Sequence, residues 1–252
     1  MGKCIAVANQ KGGVGKTTTS VNLSACLGEK GKKVLLIDLD PQGNASSGLG
    51  IEESEKSIYD VLINDVKLSD AIIKTEFKNL SICAANTSLA GAEIELVDIE
   101  KRETRLKNAV AEIKDNYDFI IIDCPPSLGL LTVNAFVCTD TILIPLQCEF
   151  YALEGLSQLV RTIKSIKKSL NKDINIEGIL LTMFDGRTNL SVQVADEIKK
   201  YYPDKVYKSV IPRNVRLSEA PSYGQPINIY DKHSKGAKSY IDLAKEVIKR
   251  NK

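Results

Sequence analysis

Histidine is almost missing from this chain of 252 residues: His233 stands alone, in the polar segment "YDKHSKG". A histidine-based metal cluster is therefore excluded. Cysteine does not make good the lack. Cys4, Cys26, Cys83, Cys124, Cys138 and Cys148 include no C-x-x-C pair, and several fall inside apolar strand or helix patterns. Buried, reduced thiols are expected, not a structural zinc site or a disulfide framework. No apolar run approaches the roughly 20 residues that span a bilayer. The chain also enters the strand-like "KCIAVAN" at once, without the apolar segment of a secretory leader. A soluble, cytoplasmic protein is expected. Excess charge is missing too: 34 basic against 32 acidic residues leave a net charge of +2. Any contact with nucleic acid must then rest on a local patch. With no low-complexity tract, repeat or Gly/Pro/Ser-rich linker, residues 1–252 read as a single domain.

What is present is alternation. Strand-like runs ("CIAVAN", "KVLLIDLD", "LSICAA", "FIIIDCP", "DTILIPLQ", "IEGILLTMF") are separated by helix-period segments at 17–29, 103–114, 151–170 and 190–202. This order predicts an α/β fold, a mostly parallel sheet with helices on both faces. Two runs, "FIIID" and "TILIPL", are apolar throughout, as strands covered on both sides must be. Over 104–114, Leu106, Val110 and Ile113 lie at i, i+4 and i+7 and predict one buried stripe. Ser127, in "PPSLG", is a candidate helix cap. Near the end, Tyr240, Leu243, Ala244, Val247 and Ile248 mark a helix over 236–249 that docks by one face.

The chemistry begins at "NQKGGVGKTTT", residues 9–19. A strand precedes it and a helix follows, the setting of a phosphate-binding loop, although Gln10 stands where the usual pattern has glycine. Gly12, Gly13 and Gly15 allow successive N–H groups to turn inward at a helix N-terminus, where the dipole also favours phosphate. In this reading Gly12, Gly13, Val14 and Gly15 wrap the phosphates and Lys16 reaches the β- and γ-oxygens. Thr17 ligates Mg²⁺ and Thr18 adds a phosphate contact. Asp123 closes "FIIID", where a Mg²⁺-serving carboxylate belongs, and Asp38 and Asp40 close "VLLIDLD". Strict alternation turns those two aspartates to one side. The guanine-reading N-K-x-D pattern is missing, which favours adenine and makes ATP and Mg²⁺ the expected cofactors. The loop alone leaves Lys11 open, either solvent-facing or with a task of its own.

Together, "KGGVGKTT", "VLLIDLDPQGN" and "IIIDCPPSLGLLT" resemble the deviant Walker-A ATPases, the class that includes ParA/Soj partition proteins, MinD and the nitrogenase iron protein. Three further stretches, "QCEFYALEGLSQL", "LLTMFDGRTNLS" and "VIPRNVRLSEAPSYGQPI", resemble the ParA/Soj branch, so that the likeness runs from about residue 3 to residue 248. The resemblance implies a slow, P-loop NTPase-like ATPase that forms an ATP sandwich homodimer and binds double-stranded DNA without sequence preference. It also implies release by a ParB-type partner and association with the nucleoid.

Residue by residue, the resemblance implies that Lys11 crosses the dimer interface to the other subunit's nucleotide. It further implies that Asp40 positions the attacking water, that Thr17 and Asp123 serve Mg²⁺, and that Pro212 and Arg213 of "IPR" border the adenine. Arg187 and Arg216 are implied to face DNA phosphates, with Lys164, Lys167, Lys168, Lys199, Lys200, Lys205 and Lys208 as further cationic candidates. About ten residues precede the loop, so no N-terminal helix-turn-helix domain of the plasmid type is expected. Neither a MinD-like membrane anchor nor a cluster-bridging cysteine pair is expected. Two other readings are a MinD-like ATPase that cycles on membranes, and a regulator of replication initiation or transcription that uses hydrolysis as a timer.

Overall fold

The apolar run "FIIID" lies where its composition places it, at the centre of a sheet. In the computed structural model, which describes residues 2–251, the strands are β1 (Lys3–Val7), β2 (Val34–Asp38), β3 (Ile72–Lys74), β4 (Leu80–Cys83), β5 (Phe119–Asp123), β6 (Thr141–Gln147) and β7 (Asn175–Thr182). They form one sheet in the order β3-β4-β2-β5-β1-β6-β7. Only the β3–β4 pair is antiparallel.

The helices are α1 (Lys16–Glu29), α2 (Asn44–Ser47), α3 (Ile58–Ile63), α4 (Leu89–Glu95), α5 (Arg105–Ala111), α6 (Leu130–Cys138), α7 (Ala152–Ser169), α8 (Asn189–Tyr201), α9 (Val215–Glu219), α10 (Ile227–Tyr230) and α11 (Lys235–Arg250). They cover both faces, because side chains alternate along each strand. Along β1, Ile5 and Val7 enter the core beneath α1 and α11, while Cys4 and Ala6 enter the core beneath α3 to α8.

The register brings the chemistry to one edge. β5 is flanked by β1 and β2, with Val7 and Asp38 both level with Asp123. The carboxyl ends of three central strands therefore finish together, and the strand order reverses direction around them. Ligands of open α/β sheets bind at such a point.

Several expectations hold. The stripe of Leu106, Val110 and Ile113 is buried, and α11 docks on α1 through Tyr240, Leu243, Ala244 and Val247. All six cysteines are buried and unpaired. No helix among the described residues is long and apolar enough to cross a membrane.

Others need correction. The segment 104–114 is a short α5 between two 3-10 turns, Arg102–Thr104 and Lys114–Asn116, so Ile113 packs from beyond the helix end. Ser127 is not a cap: α6 begins at Leu130, behind Gly129, and the Ser127 carbonyl accepts from the Thr132 hydroxyl at 2.6 Å. The edge strand β3 has no counterpart among the sequence expectations, being three residues long and too short to show a period.

Candidate active site

The loop between β1 and α1 carries backbone N–H donors that no protein acceptor engages. Gly13 and Gly15 adopt left-handed backbone (φ 70° and 85°), which side chains resist. Gly12 does not need that conformation, and a side chain on it would meet only open space. The first backbone bond inside α1 runs from Thr19 N to Gly15 O. Lys16, Thr17 and Thr18 thus present N–H groups without an intrahelical acceptor, the anion-binding end of a helix. The Thr182 hydroxyl fixes the loop to β7 by donating to the Val14 carbonyl at 2.8 Å.

A cavity of about 750 Å³ opens over this loop. It is lined by Gly12, Gly13, Gly15, Lys16, Thr17, Thr18 and Asp40, and by Pro212 and Arg213. Sequence reasoning missed Met183, Asn214 and Ser218, which border it too. Met183 holds φ 47°, unusual for a side chain of its size, and no sequence pattern marks any of the three. Two residues assigned to nucleotide do not line the cavity. Val14 is buried in the wall, and Lys11 turns outward.

Lys16 is buried, with its ammonium 3.2 Å from the Lys11 carbonyl. Burial pulls its pKa down from the usual lysine value, opposed by the charges of Asp123 and Asp40. Asp123 is fully buried; its Oδ1 accepts from Ser20 at 2.7 Å, while its Oδ2 has no partner. Desolvation, reinforced by the neighbouring Asp38 charge, pushes its carboxyl upward. An orphaned buried carboxylate oxygen beside the Thr17 hydroxyl is an all-oxygen donor set, and it suits a hard cation such as Mg²⁺.

The two aspartates after "VLLI" do not share a task. β2 ends at Asp38, so alternation stops there. Asp38 turns into the protein and accepts from Ser46 N at 2.8 Å, Ser46 Oγ at 2.7 Å and Asp40 N at 3.2 Å. Asp40 lines the cavity, its Oδ1 accepting from Gln42 N at 3.0 Å. Asp38 shapes the turn and Asp40 faces the ligand space.

Outside the cavity, the Lys11 ammonium pairs with the Glu149 carboxylate. Arg187 and Arg216 are also on the surface and also engaged. Arg187 donates twice to Asp185, at 2.8 and 2.7 Å, and Arg216 donates to Glu219 at 2.8 Å. Neither arginine is a free cation.

Residues 2–176 match a family model described as an AAA domain. Over 249 residues the sequence is 63% identical to the sporulation initiation inhibitor protein Soj of Bacillus subtilis, with 98% of each chain covered. Against the chromosome partitioning protein ParA of Myxococcus xanthus, identity is 52% over 253 residues, covering 100% of this chain and 89% of that one. The chain belongs to the ParA/Soj family of partitioning ATPases. The fold of this ParA/Soj chain is shared by cobyrinic acid a,c-diamide synthase from Mycobacterium smegmatis, solved with a bound ATP analogue and magnesium. The TM-score is 0.86 at 38% identity, over 99% of this chain and 95% of that one.

Proposed function

We propose that this ParA/Soj-family ATPase is an ATP-dependent DNA-segregation switch. Mg-ATP joins two copies into a sandwich dimer, the dimer binds duplex DNA without sequence preference at the nucleoid, and hydrolysis stimulated by a ParB-type partner releases it.

The observation that carries the reading is the divergence of two lysines on one loop. Lys16 enters the cavity, whereas Lys11 leaves it for the surface. A lysine built into a phosphate loop yet turned away from its own ligand space is available to a nucleotide on a second copy. Its tie to Glu149 does not oppose this. Both side chains are more than two-fifths exposed, and such pairs contribute about 0–1 kcal/mol.

Within one subunit, the free N–H groups and Lys16 bind the phosphates, and Pro212 and Arg213 border the base. Thr17 and Asp123 would hold Mg²⁺, whose charge would offset that of the phosphate oxygens. Asp40 orients a water for attack on the γ-phosphorus; the bond to the bridging oxygen breaks, leaving ADP and phosphate. Arg187 and Arg216 contact DNA phosphates. Pairing two copies sums two weak cationic patches in one encounter, which is how a chain of nearly zero net charge gains affinity for DNA.

Light scattering on the hydrolysis-deficient Asp40→Ala protein tests the dimer. With ATP it should double in mass, whereas the Lys11→Ala, Asp40→Ala protein should bind a fluorescent ATP analogue and remain monomeric. A dimer formed equally well without Lys11 would refute the assignment.

A further inference from the structure

Helix α9 has neighbours of two kinds. Val215, Leu217 and Ser218 border the nucleotide cavity. Arg216 and Glu219 instead face each other at the surface, where Arg216 Nη1 donates to Glu219 Oε2 at 2.8 Å. The same oxygen accepts from the Tyr230 hydroxyl at 3.1 Å, and Asp231 Oδ2 stands 3.6 Å from Arg216 Nε. One guanidinium is thus shared between two carboxylates.

This arrangement opposes a phosphate. A DNA backbone that comes within reach of Arg216 also meets Glu219 and Asp231, two like charges whose repulsion offsets attraction to the one guanidinium. Favourable contact requires that Arg216 exchange its own carboxylate for the phosphate.

We propose that Glu219, with Asp231, is an internal counter-ion that DNA must displace from Arg216, and that this holds DNA binding by the single chain in check. The inference rests on the reading that Arg216 contacts DNA. It adds a regulatory role to Glu219, an acidic residue that no part of the nucleotide chemistry uses. Leu217 and Ser218 line the ligand space from the same short helix, so the cavity wall and the brake belong to one element.

The test is a double-mutant cycle, which isolates the pair from each residue's other contacts. In the Asp40→Ala background, the parent, Glu219→Gln, Arg216→Ala and Glu219→Gln with Arg216→Ala are titrated with mixed-sequence duplex DNA. Fluorescence anisotropy is read with ATP and with ADP over a salt series. Glu219→Gln should bind up to about 5-fold tighter. Its slope of log K against log salt should steepen by about 0.9 for each further phosphate neutralised. The tighter binding should vanish in the Arg216→Ala background. Asp242→Asn, which removes an exposed carboxylate paired with Lys245 on α11, should not tighten binding.

Tighter binding that persists without Arg216, an equal effect from Asp242→Asn, or no effect of Glu219→Gln at all would overturn the inference while leaving DNA binding itself intact. Failure of the parent protein to bind DNA with ATP would instead overturn the functional reading on which the inference stands.

Discussion

Lys11 and Lys16 stand five positions apart on one loop but live in different media. Lys16 is buried against a carbonyl with two carboxylates nearby, and Lys11 is at the surface in an ion pair. The loop geometry explains the split: left-handed turns at Gly13 and Gly15 reverse the chain between them. In the proposed reading Asp40 is the other residue whose placement decides chemistry, since it lines the cavity while Asp38 spends its acceptors on Ser46 and the turn. Asp40→Ala should therefore retain ATP binding but lose hydrolysis by about 10²- to 10⁴-fold, the usual contribution of a positioned base. Single-turnover phosphate release measures it. A rate close to the parent's would show that another group orients the water.

At the scale of elements, the close packing of α1 against the β4 side of the sheet is testable. A methyl group at Gly28 would collide with the backbone carbonyl of Lys78, and backbone does not yield as a flexible side chain does. Gly28→Ala should destabilise the fold by about 1–3 kcal/mol, the range for overpacking, read from the urea midpoint. An unchanged midpoint would mean that the helix end shifts at no cost.

How far the elements were legible follows the same physics. The central strands could be read because burial on both faces demands unbroken apolar runs, as in "FIIID" and "TILIPL". The phosphate loop could be read because its glycines and lysine are required by chemistry. β3 could not, being a three-residue edge strand, and neither could the start of α6, which is capped at Gly129 and not at the serine two residues earlier. Met183, Asn214 and Ser218 reach the cavity through the long-range packing of β7 and α9 on the loop, and no local spacing encodes such contacts. The Glu149 partner of Lys11 lies 138 positions away and no local spacing shows it, whereas Asp185 and Glu219 stand two and three positions from the arginines they pair with.

For the molecule as a whole, the central sheet carries a pH signature. Asp38 and Asp123 lie level on adjacent strands, fully buried. Desolvation pushes their carboxyls up to about 6 and about 7, reinforced at Asp38 by the Asp40 charge and at Asp123 by the Asp38 charge. In the unfolded chain both titrate near about 4. Between those values the folded state holds more protons than the unfolded one, so stability falls as pH rises from about 4 to about 7. Without nucleotide and Mg²⁺, the protein should unfold at a higher urea concentration at about pH 5 than at about pH 8. Asp123→Asn should flatten the difference. An increase in stability over that interval, unaltered by Asp123→Asn, would show that the pair does not titrate in the folded state as described.

The proposed control of DNA affinity by nucleotide state, through dimerisation, is a property of two molecules together. Its most direct test is the binding of the Asp40→Ala protein to mixed-sequence duplex DNA with ATP, with ADP and without nucleotide, over a salt series. Binding should be tight with ATP alone, with a steep salt slope that flattens when Arg187 or Arg216 is replaced by alanine. Equal binding in all three states, or none in any, would contradict it.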